Sequence, residues 1–414
     1  MDIKEIINKK SLGRILTKQE IDFFVKGYCN ETIPDYQASA LLMAIKINGM
    51  NNKEIFYLTQ AMLNSGEIID LSDVGFCVDK HSTGGVSDST TIAIVPICAS
   101  VGVKMLKISG AGLGFTGGTA DKLGAIPGFS CLVDIETAKN LVNNNGGCII
   151  TSSANIAPAD KKLYALRDIT STVESIPLIA SSIMSKKLAS GATAIVLDVK
   201  YGNGAFMKTK KDALILAKTM IDIGKSAGKQ MDYCISDMNQ PLGYNIGCKL
   251  EMFEAVQVLK GVKGPLYESV IELATKCICL GLKIDKQKAK KLATEAISSG
   301  LAFEKFKQIA VSQGAKIKNF DKLDIKPKLI IKSTCNGVLN GVNCAMLGSI
   351  VGLMGGSRQT LNSEIDYSAG IKTFHKIGDK IKKDDILFEI YAKNKKLAND
   401  FKEQIISCYN IQKI

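Results

Sequence analysis

Apolar positions in the first ~65 residues recur at helical spacing. Thr17-Lys18-Gln19-Glu20 has the form of a capping box, and behind it Ile21, Phe24 and Val25 make one apolar face. Pro34-Asp35 opens a second helix carrying Leu41, Leu42, Ala44 and Ile45 and ending near Gly49, and a third closes at Gly66. From Val78 onward the texture changes to short apolar runs between glycine-rich turns and helical stretches. Residues 103–108, 147–151 and 194–199 read as strands, each followed by a loop and a helix, which predicts an α/β fold with sites at strand carboxyl ends. Helix returns over residues 158–190, with Pro158 at a first helical position. Tyr164 and Arg167 lie three apart there, and Ser182 and Lys186 four apart, so each pair shares a helix face. Polar pairs at that spacing commonly face solvent, yet Ile176, Ile179, Ile183 and Leu188 mark the second helix as packed. From Ile330 to the end β character dominates. There Ile377-Gly378-Asp379-Lys380-Ile381, followed by Ile386-Leu387, reads as a turn between strands, and His375 reads as structural.

Residues 80–91, Lys80-His81-Ser82-Thr83-Gly84-Gly85-Val86-Ser87-Asp88-Ser89-Thr90-Thr91, concentrate the candidate chemistry. Two adjacent glycines allow a tight turn and close backbone approach to a ligand, and hydroxyl groups flank them. The apolar run that follows predicts a helix whose N-terminus, with Lys80, makes a phosphate cradle. His81 is one of only two histidines in the chain, and a histidine beside phosphate suggests chemistry as well as binding. The plain alternative is a Gly-Gly turn with hydroxyl caps. The loop lacks the spacing of a nucleotide P-loop and of a dinucleotide fold.

Composition narrows the function classes. A 414-residue chain with 46% hydrophobic residues and 8 prolines is long enough for two or three ordered domains. It contains no run of about 18 uncharged apolar residues, so no membrane span is expected, and Met-Asp-Ile-Lys-Glu at the start has no apolar signal core. The 12 cysteines are scattered apart from Cys277-Ile278-Cys279, with no Cys-x-x-Cys pair; zinc and thioredoxin-like readings fail, and a reducing cytoplasm is expected. A net charge of +13 raises nucleic acid, but the lysines are dispersed, aromatic content is 6% and tryptophan is absent, so no stacking platform exists. Solvation and attraction of small anionic substrates account for the charge better.

Taken together, the motifs resemble the thymidine and pyrimidine-nucleoside phosphorylase family along nearly the whole chain. The matching stretches are Asp79-Lys80-His81-Ser82-Thr83-Gly84-Gly85-Val86, Ser109-Gly110-x-Gly112-Leu113-Gly114-x-Thr116-Gly117-Gly118-Thr119-x-Asp121-Lys122-Leu123, Tyr164-Ala165-Leu166-Arg167-Asp168, Ser175-Ile176-Pro177-Leu178-Ile179 and Ser185-Lys186-Lys187. Gly204-Ala205-Phe206-Met207-Lys208-Thr209 and Met238-Asn239-Gln240-Pro241-Leu242-Gly243-Tyr244 complete the set, with Lys208 and Pro241–Tyr244 closer to the broad pyrimidine branch. The resemblance implies a small all-helical domain (1–66 and 158–190), a larger mixed α/β phosphate-binding domain (67–157 and 191–329) and a β-rich C-terminal α+β subdomain (330–414), closing over a cleft in a cytoplasmic homodimer. It implies reversible phosphorolysis of uridine, deoxyuridine and thymidine to free base and (deoxy)ribose 1-phosphate, with inorganic phosphate as co-substrate and no organic cofactor, nucleic acid or membrane partner.

By the same resemblance Lys80, His81, Ser82, Thr91, Lys107, Ile108, Ser109 and Thr119 hold phosphate, as charge-assisted hydrogen bonds would. Arg167, Ser182 and Lys186 grip the pyrimidine edge, Tyr164 packs against substrate, and His81 acts as general acid at the base carbonyl while Arg167 and Lys186 stabilise charge on the leaving base. A potassium ion is implied at Ser87, Ser89, Leu242, Asn245 and Glu254, where Ser87, Ser89 and Asn245 depart from the usual Gly, Thr and Ala. The usual family motif Ser-Gly-Arg-Gly-Leu-Gly-His-Thr-Gly-Gly-Thr-x-Asp-Lys-Leu-Glu is also broken: Ala111, Phe115 and Gly124 replace the Arg, His and Glu. Asn343 and Ser357 sit in a further divergent stretch. Joint removal of an Arg–Glu pair leaves no orphan charge; the competing reading is impaired closure with lower turnover. Two other functions stay open on these residues: a nucleoside-binding paralogue with weakened catalysis, and a phosphoribosyltransferase. Against the latter, no acidic magnesium-binding pair lies near the cradle.

Overall fold

A computed structural model of the chain describes residues 1–110, 112, 117–316, 322–358 and 364–413. In chain order the elements are α1 (Ile3–Ser11), α2 (Lys18–Cys29), α3 (Asp35–Asn48), α4 (Asn52–Leu63), β1 (Val78–Ser82), α5 (Thr90–Ser100), β2 (Met105–Ser109), α6 (Thr119–Leu123), α7 (Ile135–Asn145), β3 (Gly147–Thr151), α8 (Pro158–Ile169), α9 (Ile176–Ala189), β4 (Ala194–Tyr201), α10 (Lys210–Ser226) and β5 (Gln230–Asp237). There follow β6 (Asn245–Ile246), α11 (Cys248–Leu259), α12 (Pro265–Leu282), α13 (Lys286–Ser298), α14 (Leu301–Ser312), β7 (Leu329–Lys332), β8 (Gly337–Val342), α15 (Cys344–Val351), a π-turn (Gly352–Gly356), β9 (Gly370–Thr373), β10 (Lys380–Ile381), β11 (Ile386–Tyr391), α16 (Lys395–Asp400), α17 (Lys402–Ser407) and β12 (Tyr409–Lys413). The chain divides into two compact units: Met1–His81 with Ser152–Leu197 and Lys211–Tyr233, and Ser82–Thr151 with Asp198–Lys210 and Cys234–Ile414.

The first unit is largely helical, and its local signals are those read from the sequence. The Thr17/Glu20 capping box forms, and a second, Asn51/Glu54, starts α4. Ile6, Phe24, Leu41, Leu42, Leu58, Leu163, Leu166 and Leu178 gather in one buried cluster drawn from α1 to α4, α8 and α9. Glu54 has a second task that no local pattern announces. Its carboxylate accepts from Lys10 Nζ at 2.8 Å and Leu16 N at 2.9 Å, and the two side chains of the ion pair are 3% and 2% exposed.

The second unit is built around α5. Every residue from Thr90 to Ala99 is buried, so this helix is covered on all sides, as the apolar run from Ile92 to Ala99 requires. β2 and β3 pair in parallel from Met105↔Gly147 to Ser109↔Thr151, which places Ser109 at a carboxyl end. Gln313 serves β3 as a surrogate strand: its Oε1 accepts from Ile149 N at 3.0 Å, while Nε2 donates to Ile149 O at 2.7 Å and Ser130 O at 3.0 Å. A second sheet has the order β1-β4-β5. The C-terminal strands form two sheets, β6-β9-β11-β7 and β10-β8-β12. The strands expected around residues 377–387 exist, but β10 and β11 enter different sheets; β10 joins β8, and β11 lies between β9 and β7. The His375 carbonyl accepts from Tyr409 Oη at 3.1 Å.

Removing one partner of a buried ion pair strands the other charge. Glu54→Ala is therefore expected to destabilise the protein by about 3–5 kcal/mol, read as a lower denaturant midpoint for the helical signal. A midpoint unchanged from wild type would show that Lys10 finds solvent without cost.

Candidate active site

In the first unit, Ser182 and Lys186 project side by side from α9, with Lys186 Nζ donating to Ser182 Oγ at 3.0 Å. Lys186 also pairs with Asp160 of α8, a residue the sequence reading missed although Asp160, Tyr164 and Arg167 share a helix face at i, i+4 and i+7. Asp160 is buried, and its second oxygen, Oδ1, has no hydrogen-bond partner among the described residues. The next lysine turns the opposite way: Lys187 Nζ meets Asp79 Oδ2 at 2.8 Å in the interior. Asp79 Oδ1 accepts the Lys80 amide at 2.8 Å, fixing the strand that carries Lys80 and His81.

Arg167 also has a structural part. It is 3% exposed, and its guanidinium donates to the carbonyls of Thr172, Leu178 and Val173 at 3.3, 3.1 and 2.9 Å. Three of its five N–H groups thus hold the turn between α8 and α9, and two are left for other acceptors. Burial lowers its pKa, and Asp160 opposes that shift. The guanidinium lies 5.6 Å from the Tyr164 ring centroid, a cation–π contact. Burial raises the Tyr164 phenol.

In the second unit the 82–91 loop is laid over a buried charge network. Ser82 Oγ donates to Asp88 Oδ2 at 2.5 Å, Thr90 Oγ1 donates to Asp88 Oδ1 at 2.6 Å, and Lys122 Nζ donates to the Asp88 carbonyl at 2.6 Å. Lys122 also pairs with Glu251 at 2.8 Å. Beneath them Lys200, fully buried on β4, sits 2.8 Å from Asp198 Oδ2 and 3.8 Å from Asp88 Oδ2. Burial works against the Lys200 charge, but Asp198 and Asp88 outweigh it and hold the pKa above the ordinary lysine value. Gly85 has no room for a side chain, since an added Cβ would meet Met238 Cε at 2.5 Å. Lys107 is buried on β2 and donates to the Ile108 carbonyl at 2.7 Å. Thr91 is buried in the first turn of α5, and Thr119 begins α6.

The residues expected to hold potassium lie in this same unit. Ser87 adopts φ 63°, the left-handed region in which glycine is favoured, and its hydroxyl accepts from Gly243 N at 3.0 Å. Ser89 Oγ is buried with no hydrogen-bond partner among the described residues. The Glu254 carboxylate accepts from the Tyr244 and Asn245 amides at 2.8 and 3.0 Å, and burial raises its pKa. An orphan hydroxyl and an amide-bound carboxylate are oxygen donors of the kind a hard monovalent cation takes, so these residues fit the ion. In the same segment, the carbonyls of Pro241 and Gly243 both accept from Lys376 Nζ, at 2.6 Å.

Of the three departures from the family motif, Ala111 and Phe115 lie outside the described residues. Gly124 has a clear reason: a Cβ built there would come within 2.4 Å of Tyr367 Oη. Close by, Asp121 Oδ1 accepts from Arg358 Nε at 3.0 Å, while Oδ2 accepts from Gly112 N at 2.6 Å and Gly118 N at 3.3 Å. Tyr367 occupies the space that a side chain at 124 would need.

Comparison with known proteins adds an independent line. Residues 75–303 match the glycosyl transferase family a/b domain, residues 4–66 its helical bundle domain, and residues 338–412 the pyrimidine nucleoside phosphorylase C-terminal domain. A Staphylococcus haemolyticus protein named pyrimidine-nucleoside phosphorylase is 47% identical over 420 residues, covering 100% of this chain and 96% of the relative. A Staphylococcus aureus protein of the same name is 47% identical over 419 residues, covering 99% and 96%. The crystal structure of anthranilate phosphoribosyltransferase from Thermus thermophilus aligns with TM-score 0.61 at 18% identity, over 76% of this chain and 99% of that one, a likeness of fold.

Two outcomes follow from this geometry. Gly124→Glu is expected to destabilise by about 1–3 kcal/mol through overpacking against Tyr367, and Gly124→Glu with Tyr367→Ala to recover part of that loss in a thermal melt. Additive losses in the double variant would contradict the contact. Burial also pulls Lys376 down from 10.5 to about 8. Below about 8 both folded and unfolded states keep the proton, and the cost of burying the charge is fully present. Between about 8 and 10.5 the unfolded state binds more protons, so stability contributed at this position rises with pH. The Tm of wild type relative to Lys376→Met should therefore increase across that window; a flat difference would show that Lys376 does not titrate there.

Proposed function

We propose, for a chain that belongs to the pyrimidine-nucleoside phosphorylases of the glycosyl transferase family, an assignment of its residues to the steps of that reaction. The reaction is phosphorolysis of pyrimidine nucleosides, with phosphate as co-substrate. Phosphate attacks the anomeric carbon as the base departs, so the enzyme must hold a dianion, orient the nucleoside and stabilise charge on the leaving base. Lys80, His81, Ser82, Thr91, Lys107, Ile108, Ser109 and Thr119 take the phosphate. Arg167, Ser182 and Lys186 take the pyrimidine edge, Tyr164 packs against it, and His81 protonates the base carbonyl.

The observation that carries this assignment is the Asp160–Lys186–Ser182 chain on α8 and α9. Asp160 fixes the Lys186 ammonium, and Lys186 donates to Ser182, which orients a cation and a hydroxyl together on one helix face. A preorganised cation of this kind acts on negative charge as it develops. The two N–H groups of Arg167 not engaged by carbonyls suit the same role.

A potassium ion held by Ser87, Ser89, Leu242, Asn245 and Glu254 would supply positive charge beside the phosphate loop; the orphan Ser89 hydroxyl supports it. We take the protein as a homodimer. On α3, Tyr36 and Ile47 are 73% and 74% exposed, and with Met43 they share one helix face, an apolar stripe that suits a second copy. A cytoplasmic setting is supported by the 12 cysteines, all present as thiols. Among the described residues no helix is long and apolar enough to cross a membrane. For domains we keep 1–66 with 158–190 as helical, 67–157 with 191–329 as the phosphate-binding α/β body, and 330–414 as the C-terminal subdomain. The hydrophobic cluster drawn from α1–α4, α8 and α9 supports the first of these.

Uridine, deoxyuridine and thymidine, each incubated with and without phosphate, provide the test. Free base is expected only with phosphate, abolished in His81→Ala and reduced in kcat by about 10²–10³ in Lys186→Ala. Base release independent of phosphate, or undiminished in both variants, would overturn the assignment.

A further inference from the structure

The hydroxyl of Ser82 has one proton and two lone pairs. Its proton goes to Asp88 Oδ2, 2.5 Å away, because a carboxylate can only accept. One lone pair accepts the Gly84 amide at 3.2 Å. The other lone pair remains, so toward a ligand Ser82 is an acceptor. Such an acceptor is out of place in a site meant for an anion, unless the anion brings a proton of its own.

Asp88 is held in this role from several directions. Thr90 donates to its Oδ1 through both hydroxyl and amide, at 2.6 and 3.3 Å. Lys200 stands behind Oδ2 at 3.8 Å and is tied to Asp198 at 2.8 Å, whose other oxygen takes Ser236 Oγ at 2.7 Å. Lys122, paired with Glu251, anchors the Asp88 carbonyl at 2.6 Å. Turning the Ser82 proton outward would withdraw a donor from a carboxylate in the interior, which is costly.

We propose that Asp88 is a specificity-determining positioning residue: by committing the Ser82 proton it makes Ser82 an acceptor for the P–O–H group of phosphate, so that the site selects a protonated oxyanion over sulfate. The proposal rests on the reading of Ser82 as a phosphate residue. Near neutral pH both ionic forms of phosphate carry at least one P–O–H, and arsenate has the same chemistry. Sulfate carries no proton and would set an oxygen lone pair against that of Ser82. The arrangement has a further effect on the reaction, since it keeps the proton on an oxygen turned toward Ser82 and leaves other oxygens unprotonated for attack.

The test is uridine cleavage with phosphate or arsenate as acceptor and sulfate as a competitor of phosphate. In wild type the Ki of sulfate is expected to exceed the KM of phosphate by about 30-fold, the worth of one strong hydrogen bond, with arsenate within a few-fold of phosphate. In Asp88→Asn the amide can donate to Ser82 and release its proton, so the sulfate-to-phosphate ratio should fall toward one. Because that variant also leaves Lys200 with Asp198 alone, Ser82→Ala is the companion: it keeps the Asp88–Lys200 pair, and phosphate KM should rise while sulfate Ki does not. A sulfate Ki equal to the phosphate KM in wild type would overturn the selectivity. A phosphate KM unchanged in Ser82→Ala would instead overturn the placement of phosphate at Ser82.

Discussion

A lysine ammonium taken out of water needs a partner for its charge, and this fold repeatedly supplies a carboxylate. Lys10 with Glu54 and Lys187 with Asp79 lie within the first unit; Lys122 with Glu251 and Lys200 with Asp198 lie within the second. Each pair is nearly or fully enclosed, so neither member can move without stranding the other. The backbone near each pair inherits that fixity. Asp79 holds the amide of Lys80, and Asp88, with Lys200 behind it, holds the hydroxyls of Ser82 and Thr90. The candidate residues Lys80 and Ser82 are therefore each held by a carboxylate that also carries a buried ion pair.

Local signals are legible in the sequence alone. The Thr17–Glu20 capping box, Pro158 at the head of α8 and the apolar runs of β2, β3 and β4 depend on neighbours a few residues away, and each forms where the pattern places it to within a residue or two. Pairings across the chain leave no such trace. Asp79 and Lys187 are 108 positions apart, and Lys10 and Glu54 are 44 apart, so only the folded chain reveals them as partners. Lys186 and Lys187 are indistinguishable as adjacent letters, yet one meets Asp160 and Ser182 while the other disappears into the interior. The assignment of strands to the two C-terminal sheets is hidden for the same reason: β6 precedes its partner β9 by well over a hundred residues.

The likeness to anthranilate phosphoribosyltransferase shows how little a shared fold decides about chemistry. That likeness exists at 18% identity, whereas 47% identity over the full chain joins this protein to pyrimidine-nucleoside phosphorylases. Of the departures from the glycine-rich motif, Gly124 is the one the described residues explain. At position 124 Tyr367 fills the space a side chain would need, and Asp121, close by, binds Arg358 and the amides of Gly112 and Gly118. At that one position the structure gives glycine a packing reason.

Gln313 illustrates a different economy. Its single amide meets the free N–H and C=O of Ile149, the central residue of a strand that is otherwise apolar and buried. A sheet edge with unsatisfied backbone groups invites pairing by any extended segment that reaches it. During synthesis, β3 emerges long before residue 313 does, so for that interval the edge has no stopper. In that interval this edge is open to pairing with any extended segment that reaches it.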